Sequence, residues 1–135
     1  MSYQASAALQ AAIYAQLQGD ADVTGLVGAH IYDEMPTGTL PTLFVALGGE
    51  EVRDASDVTA NGAWHDLTVS VISDASGFQT AKRAAGAVNN SLHEADLTLA
   101  VGQLVFLRFL KARAKRGKSG GRQIDLTFRA RVDLI

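Results

Sequence analysis

Residues 103–134 read QLVFLRFLKARAKRGKSGGRQIDLTFRARVDL, two strand-like runs joined across Lys118-Ser119-Gly120-Gly121. The second run alternates without a break. Ile124, Leu126, Phe128, Ala130, Val132 and Leu134 fall on one side, and Gln123, Asp125, Thr127, Arg129, Arg131 and Asp133 on the other. Side chains of a strand project to opposite faces with a period of two, so this run is a strand with one covered face. The first run, residues 103–115, is apolar at Leu104, Val105, Phe106, Leu107, Phe109 and Leu110 and then polar at Lys111, Arg113 and Lys115. That gradient predicts a buried base and a solvated basic tip projecting well over ~10 Å beyond the core. A long C-terminal β-hairpin follows, and its apolar face demands a partner layer.

Candidates for that layer lie upstream. Ala5, Leu9, Ala12, Ile13 and Leu17 follow helical spacing, with Ser2 as N-cap and Gly19 as stop. A helical turn over residues 20–27 ends at Gly28, and a second full helix carries Phe78, Ala81, Ala85, Val88 and Leu92, with Ser76 as its cap. Between them, residues 30–35 form a short strand and residues 36–41 a turn, because proline disfavours helix in the residue before it. Residues 42–51 and 64–73 alternate as strands, Leu67, Val69 and Val71 facing inward on the second. Gly48-Gly49 predicts a bulge in the first. The polar segment 53–62, ending in Asn61-Gly62, predicts a long hairpin loop between them. The fold class is therefore α+β: an antiparallel β-sheet with two α-helices packed on one face.

The chain has 135 residues, a size at which one core is usual, and residues 1–135 are expected to form a single domain. Apolar residues make up 47% and charged residues 19%, enough to fold around a core and leave a lightly charged surface suited to burial against neighbours. Cysteine is absent, which removes disulfides and thiolate metal sites. No apolar run approaches the ~20 residues that cross a bilayer, so a soluble product with no membrane partner is expected.

Charge is unevenly divided. Seven of the twelve basic residues lie between Arg108 and Arg122 with no acidic residue among them, leaving five basic against fourteen acidic residues elsewhere. Glu50, Glu51, Asp54 and Asp57 gather around the first hairpin, while Lys111, Arg113, Lys115, Arg116, Lys118 and Arg122 line the last. Opposite charges on two hairpins of one subunit favour a head-to-tail contact between copies, the kind that closes into rings. The carboxylates match no known cation-binding loop, and no aromatic lies between Lys111 and Arg122 to stack on a base. Transient phosphate contact by the basic hairpin remains open.

Chemistry is poorly provided for. The glycine pairs lack the following helix that a phosphate loop needs, and no nucleophile elbow is present. His30, His65 and His93 stand in separate elements and are expected to be surface or partly buried imidazoles. No catalytic residue, cofactor or metal is therefore assigned. Trp64 is expected in the core or an interface, and with His65 and the acidic cluster it is the only raw material for a small-ligand-binding or enzymatic α+β domain.

Leu9, Ile13 and Leu17, then Asp20, Val23, Leu26, Val27 and Gly28, then Ile31-Tyr32-Asp33, Pro36, Pro41 and Leu43-Phe44-Val45 resemble the opening of the small tail-completion, or tail-terminator, proteins. These belong to the head–tail modules of long-tailed phages and gene transfer agents. The later order of hairpin, helix and terminal hairpin is similar too. What the resemblance implies is a structural, non-enzymatic virion protein: a hexameric ring that caps the finished tail tube, ends its polymerisation and offers the surface for head–tail joining. Its implied partners are further copies of itself, the tail-tube protein and the head–tail connector. A head-completion connector or stopper touching DNA through residues 111–122 is the alternative within the same particle.

Overall fold

The computed structural model describes residues 3–56, 61–117 and 120–134. Three helices, α1 (Ser6–Gln18), α2 (Ala21–Val27) and α3 (Gln79–Leu92), accompany five strands: β1 (Ile31–Tyr32), β2 (Leu43–Asp54), β3 (Asn61–Ser73), β4 (Gln103–Arg116) and β5 (Arg122–Leu134). The sheet order is β1-β2-β3-β5-β4. The two central strands, β3 and β5, pair antiparallel from Asn61↔Leu134 to Ser73↔Arg122 with no shift in register.

That register places every alternating residue. Ala63, His65, Leu67, Val69 and Val71 share the covered face with Ile124, Leu126, Phe128, Ala130 and Val132, and all ten are buried. The helices supply the second layer through Leu9, Ile13 and Leu17 of α1, Val23 and Val27 of α2, and Ala81, Ala84, Val88 and Leu92 of α3. Alanines on α3 let its backbone come close to the sheet, and Leu92 and Val88 fill the remaining space. Among the described residues, no helix lies on the sheet's other face.

Local signals explain most element ends. The Asp20 carboxylate accepts hydrogen bonds from the backbone N–H of Asp22 and Val23 at 2.9 and 3.2 Å and so starts α2. Gly28 ends it. At Gly48-Gly49 the pairing shifts from Leu47↔Val69 to Glu50↔Leu67, which is the expected bulge.

Several expectations need correction. β1 runs parallel to β2, through Ile31↔Val45 and Tyr32↔Ala46, so the sheet is mixed at that edge. The ten residues between β1 and β2 carry the chain back to its starting end, which a tight hairpin turn cannot do. Asn61-Gly62 is not a turn; it begins β3. A Cβ on Gly62 would meet Arg131 Nη2 at 2.6 Å and Asp133 Oδ1 at 2.7 Å, so the glycine makes room for that ion pair. Ser76 does not cap α3, whose first turn has no side-chain cap. Ser2 lies outside the described residues.

The base of β4 is the largest departure. Only Leu107 is buried; Val105, Phe109 and Leu110 are 54%, 36% and 43% exposed. α3 lies over β3 and β5 and reaches β4 only at its margin, so the apolar side chains of this edge strand are left without a lid. Two register shifts, between Leu104 and Phe106 and between Phe109 and Lys111, accompany the exposure.

Phe128→Ala should therefore cost about 3–5 kcal/mol in denaturant unfolding, the usual toll of a buried aromatic. Phe109→Ala, on the uncovered edge, should cost less than half of that.

Candidate functional site

Charged residues are sorted by the sheet into an open face and two edges. On the open face, the Arg129 guanidinium donates to both carboxylate oxygens of Asp66 across β3 and β5, at 2.7 and 2.9 Å. The Arg129 hydrogen bond holds the Asp66 carboxyl below its ordinary value; partial burial opposes this, and the nearby charges of Arg129, Arg53 and Lys111 assist it. Asp125 sits further along. Burial pushes its carboxyl up, but hydrogen bonds from Gln123, Ser70 and Lys115 outweigh this and leave it lowered. Arg131 pairs with Asp133 at 2.9 Å. Trp64 lies on the same face, its ring 5.7 Å from Phe106 and beneath the guanidinium groups of Arg131 and Arg129 at 5.4 and 5.9 Å. It is half-buried by these planar cations, outside the core.

The acidic and basic groups expected to meet in trans stand on opposite sides of one sheet. Glu50, Glu51 and Asp54 lie along β2 rather than at a hairpin tip, and Lys111, Arg113, Lys115 and Arg116 lie along β4, with β3 and β5 between. Asp57 and Lys118 lie outside the described residues. Not all of the remainder are free. Lys115 reaches Asp125 at 3.2 Å, Asp54 accepts from Ser56, and Arg122 donates to the carbonyls of Gly120 and Gly121 and lies over the Phe78 ring.

Glu50 has a second task that spacing alone did not reveal. Its carboxylate accepts from the Ser6 hydroxyl at 2.6 Å and lies 3.1 Å from Nδ1 of His65, a fully buried side chain. The contact ties the first turn of α1 to β2 just after the bulge. Among the described residues, Nε2 of His65 has no partner. Burial of His65 was legible in principle, since it shares the alternation of Leu67, Val69 and Val71.

Chemical machinery is sparse. Among the described residues no group of three or more His or carboxylate side chains is close enough to hold a metal. A groove of about 770 Å³ runs between the Pro36–Pro41 turn and the end of the last hairpin, floored by Leu40, Phe44 and Ile72 and walled by Lys115 and Arg116. Ser73 and Asp74 also line it, the Ser73 hydroxyl accepting from the Ala75 backbone N–H at 3.1 Å. His30 and His93 are engaged locally, His30 with the Tyr32 hydroxyl at 2.8 Å and His93 as acceptor from the Phe109 backbone N–H at 3.0 Å.

Residues 11–133 match the family model described as tail completion protein gp17. The chain belongs to this tail-completion family. A solved structure is also similar: a chain from the virion of a native gene transfer agent particle is 54% identical, with a TM-score of 0.92, over 98% of this chain and 99% of that one. No curated protein sequence matches. The family match runs from α1 into β5, well past the residues at positions 9–45 that carry the sharper resemblance.

Two tests follow from this geometry. Asp66 has a depressed folded-state value, so its stabilisation is present above the unfolded carboxyl value and lost as pH falls through the folded one. Asp66→Asn should therefore flatten the decline in unfolding free energy below about pH 4. Glu50→Ala, which leaves buried His65 without its acceptor, should lower stability by about 1–3 kcal/mol at neutral pH, read from denaturant midpoints.

Proposed function

We propose that this chain is a structural component of a virion or phage-like particle that caps the tail tube as a hexameric ring. In that position it ends tube polymerisation and provides the head–tail joining surface. The observation that carries the reading is the near full-length likeness, at 54% identity, to a chain of a gene transfer agent virion within a tail-completion family. At that identity and TM-score the fold is shared over nearly the whole chain, so the same place in a particle is the economical assignment. The role asks for surfaces and no bond-making chemistry.

The charge division supports a ring. A subunit whose two lateral edges carry opposite charge attracts a second copy at either side, and a head-to-tail contact repeated by rotation closes. Exposed apolar side chains on β4, Val105, Phe109 and Leu110, suit a surface that is covered after assembly. The partners in this reading are further copies, the tail-tube protein below and the head–tail connector above.

A second reading, a head-completion stopper touching DNA, is favoured by one observation: Lys111, Arg113 and Arg116 are exposed along a single strand. Counterion release from phosphates would make such binding fall steeply with salt.

Light scattering with negative-stain imaging should give rings of six 14.2 kDa chains, alone or once tail-tube protein is added. Monomers that never join tube subunits would contradict the ring. For the second reading, replacing Lys111, Arg113 and Arg116 together by Ala should abolish a salt-sensitive affinity for duplex DNA. Affinity indifferent to salt would remove it.

A further inference from the structure

The two long edge strands of the sheet differ in how much of their backbone is still available. At the base of β4, the backbone N–H of Glu94 donates to the Leu107 carbonyl at 2.7 Å, and the Phe109 N–H donates to His93 Nδ1 at 3.0 Å. The segment after α3 thus caps the outer edge there, and an ion pair between Arg108 and Glu94 at 3.0 Å holds it in place. Beyond the register shift at Leu110 no strand pairs with the outer edge of β4 among the described residues. The remaining stretch is Lys111 to Arg116, exposed throughout.

Among the described residues β2 has a matching gap. β1 covers it only at Val45 and Ala46, and the bulge at Gly48-Gly49 carries the strand past β1. Residues 48–54 then run along the sheet border, exposed except for a half-buried Val52.

Antiparallel ladders alternate inward and outward hydrogen-bonding positions, so a few known bonds fix the phase of each edge. Outward Phe109 and inward Gly117, whose N–H donates to Gly121 at 2.9 Å, place the outward N–H and C=O groups on Ala112, Ala114 and Arg116. On β2, Val45 donates outward to His30 at 3.0 Å and Ala55 inward to Gly62 at 2.9 Å, which makes Glu50 and Val52 outward. Each border therefore offers about one turn of the ladder to a strand of similar length.

We infer that subunits join by strand addition, the outer edge of β4 at Lys111–Arg116 pairing antiparallel with residues 50–53 of β2 in the next copy. This rests on the ring reading and specifies its contact. Direction agrees with it. The four long strands alternate in direction across the sheet, so β2 and β4 run oppositely. Rotation about an axis along the strands sets β4 of one copy antiparallel to β2 of the next, and the ladder continues from subunit to subunit. Charge favours a second copy over an unrelated strand. With Val52 opposite Ala114, Glu50 faces Arg116 and Glu51 faces Lys115 across the junction, contacts that Glu50 shares with Ser6 and His65 and Lys115 shares with Asp125. Arg53 then faces Arg113, whose partner across β5 is Asp125, so a carboxylate flanks this one like-charged pair. Small side chains at Ala112 and Ala114 leave room for the incoming strand.

Basic residues on an edge strand also serve elsewhere to keep edges apart. The two roles predict opposite results. The chain has no cysteine, so Val52→Cys with Ala114→Cys introduces the only thiols, at a hydrogen-bonded cross-strand pair about 5.5 Å apart between Cα atoms, within disulfide range. Under oxidising conditions with tail-tube protein present, this variant should give a ladder of linked species up to the ring, and either single variant should not. Ala114→Pro, which deletes one outward N–H at an edge position where proline is tolerated, should leave a folded monomer by circular dichroism and abolish rings; Ala114→Val should keep them. Rings that persist in Ala114→Pro and give no 52–114 disulfide in the double variant would overturn strand addition while leaving the ring intact. Absence of any oligomer from the wild-type chain with tube protein would remove both. Should Ala114→Pro fail to fold, the disulfide ladder decides alone.

Discussion

Everything in this molecule is arranged around the uninterrupted pairing of β3 with β5. Thirteen consecutive positions are matched without a bulge, and the pleat turns that match into two surfaces, one apolar and one polar. The apolar surface requires the helices, because burying side chains such as Phe128, Val69 and Leu126 supplies most of the free energy that offsets ordering the chain. The polar surface is bound to the same register. Asp66 meets Arg129 and Ser70 meets Asp125 only because those residues face each other across the same two strands.

Where sequence foretold structure, one physical signal was involved each time: a period that matches a face. β5 and β3 alternate cleanly, α3 carries its stripe from Ala81 to Leu92, and Gly48-Gly49 interrupts β2 where two small residues interrupt the alternation. Both borders of the terminal hairpin were legible for the same reason. Where expectation and structure part, the deciding term was tertiary. Nothing local in Ile31-Tyr32 tells which way a two-residue strand will run beside β2. Asn61-Gly62 has the composition of a turn, yet the chain extends through it because Arg131 and Asp133 need the space a side chain there would fill. Apolar residues at the start of β4 were expected to be covered, and apart from Leu107 they are not fully so, since coverage depends on where α3 crosses the sheet.

The candidate site was legible as composition and illegible as geometry. Counting charges separated an acidic group from a basic one, but only the strand order put them on opposite borders. Glu50 turned out to serve the fold as well, linking α1 to the sheet through Ser6 and buried His65. That link lies just where the bulge carries β2 past β1, so a core contact sits beside an exposed edge. The cap from His93 and Glu94 does the reverse on β4, closing half of that edge and leaving the basic half open.

The central claim is that copies of this chain end the growth of a tail tube. Tail lengths in particles assembled with and without it, measured one particle at a time by electron microscopy, test this most directly. Its removal should replace a narrow length distribution with tubes of scattered length that are not joined to heads. Tails of normal, uniform length attached to filled heads in its absence would contradict the account.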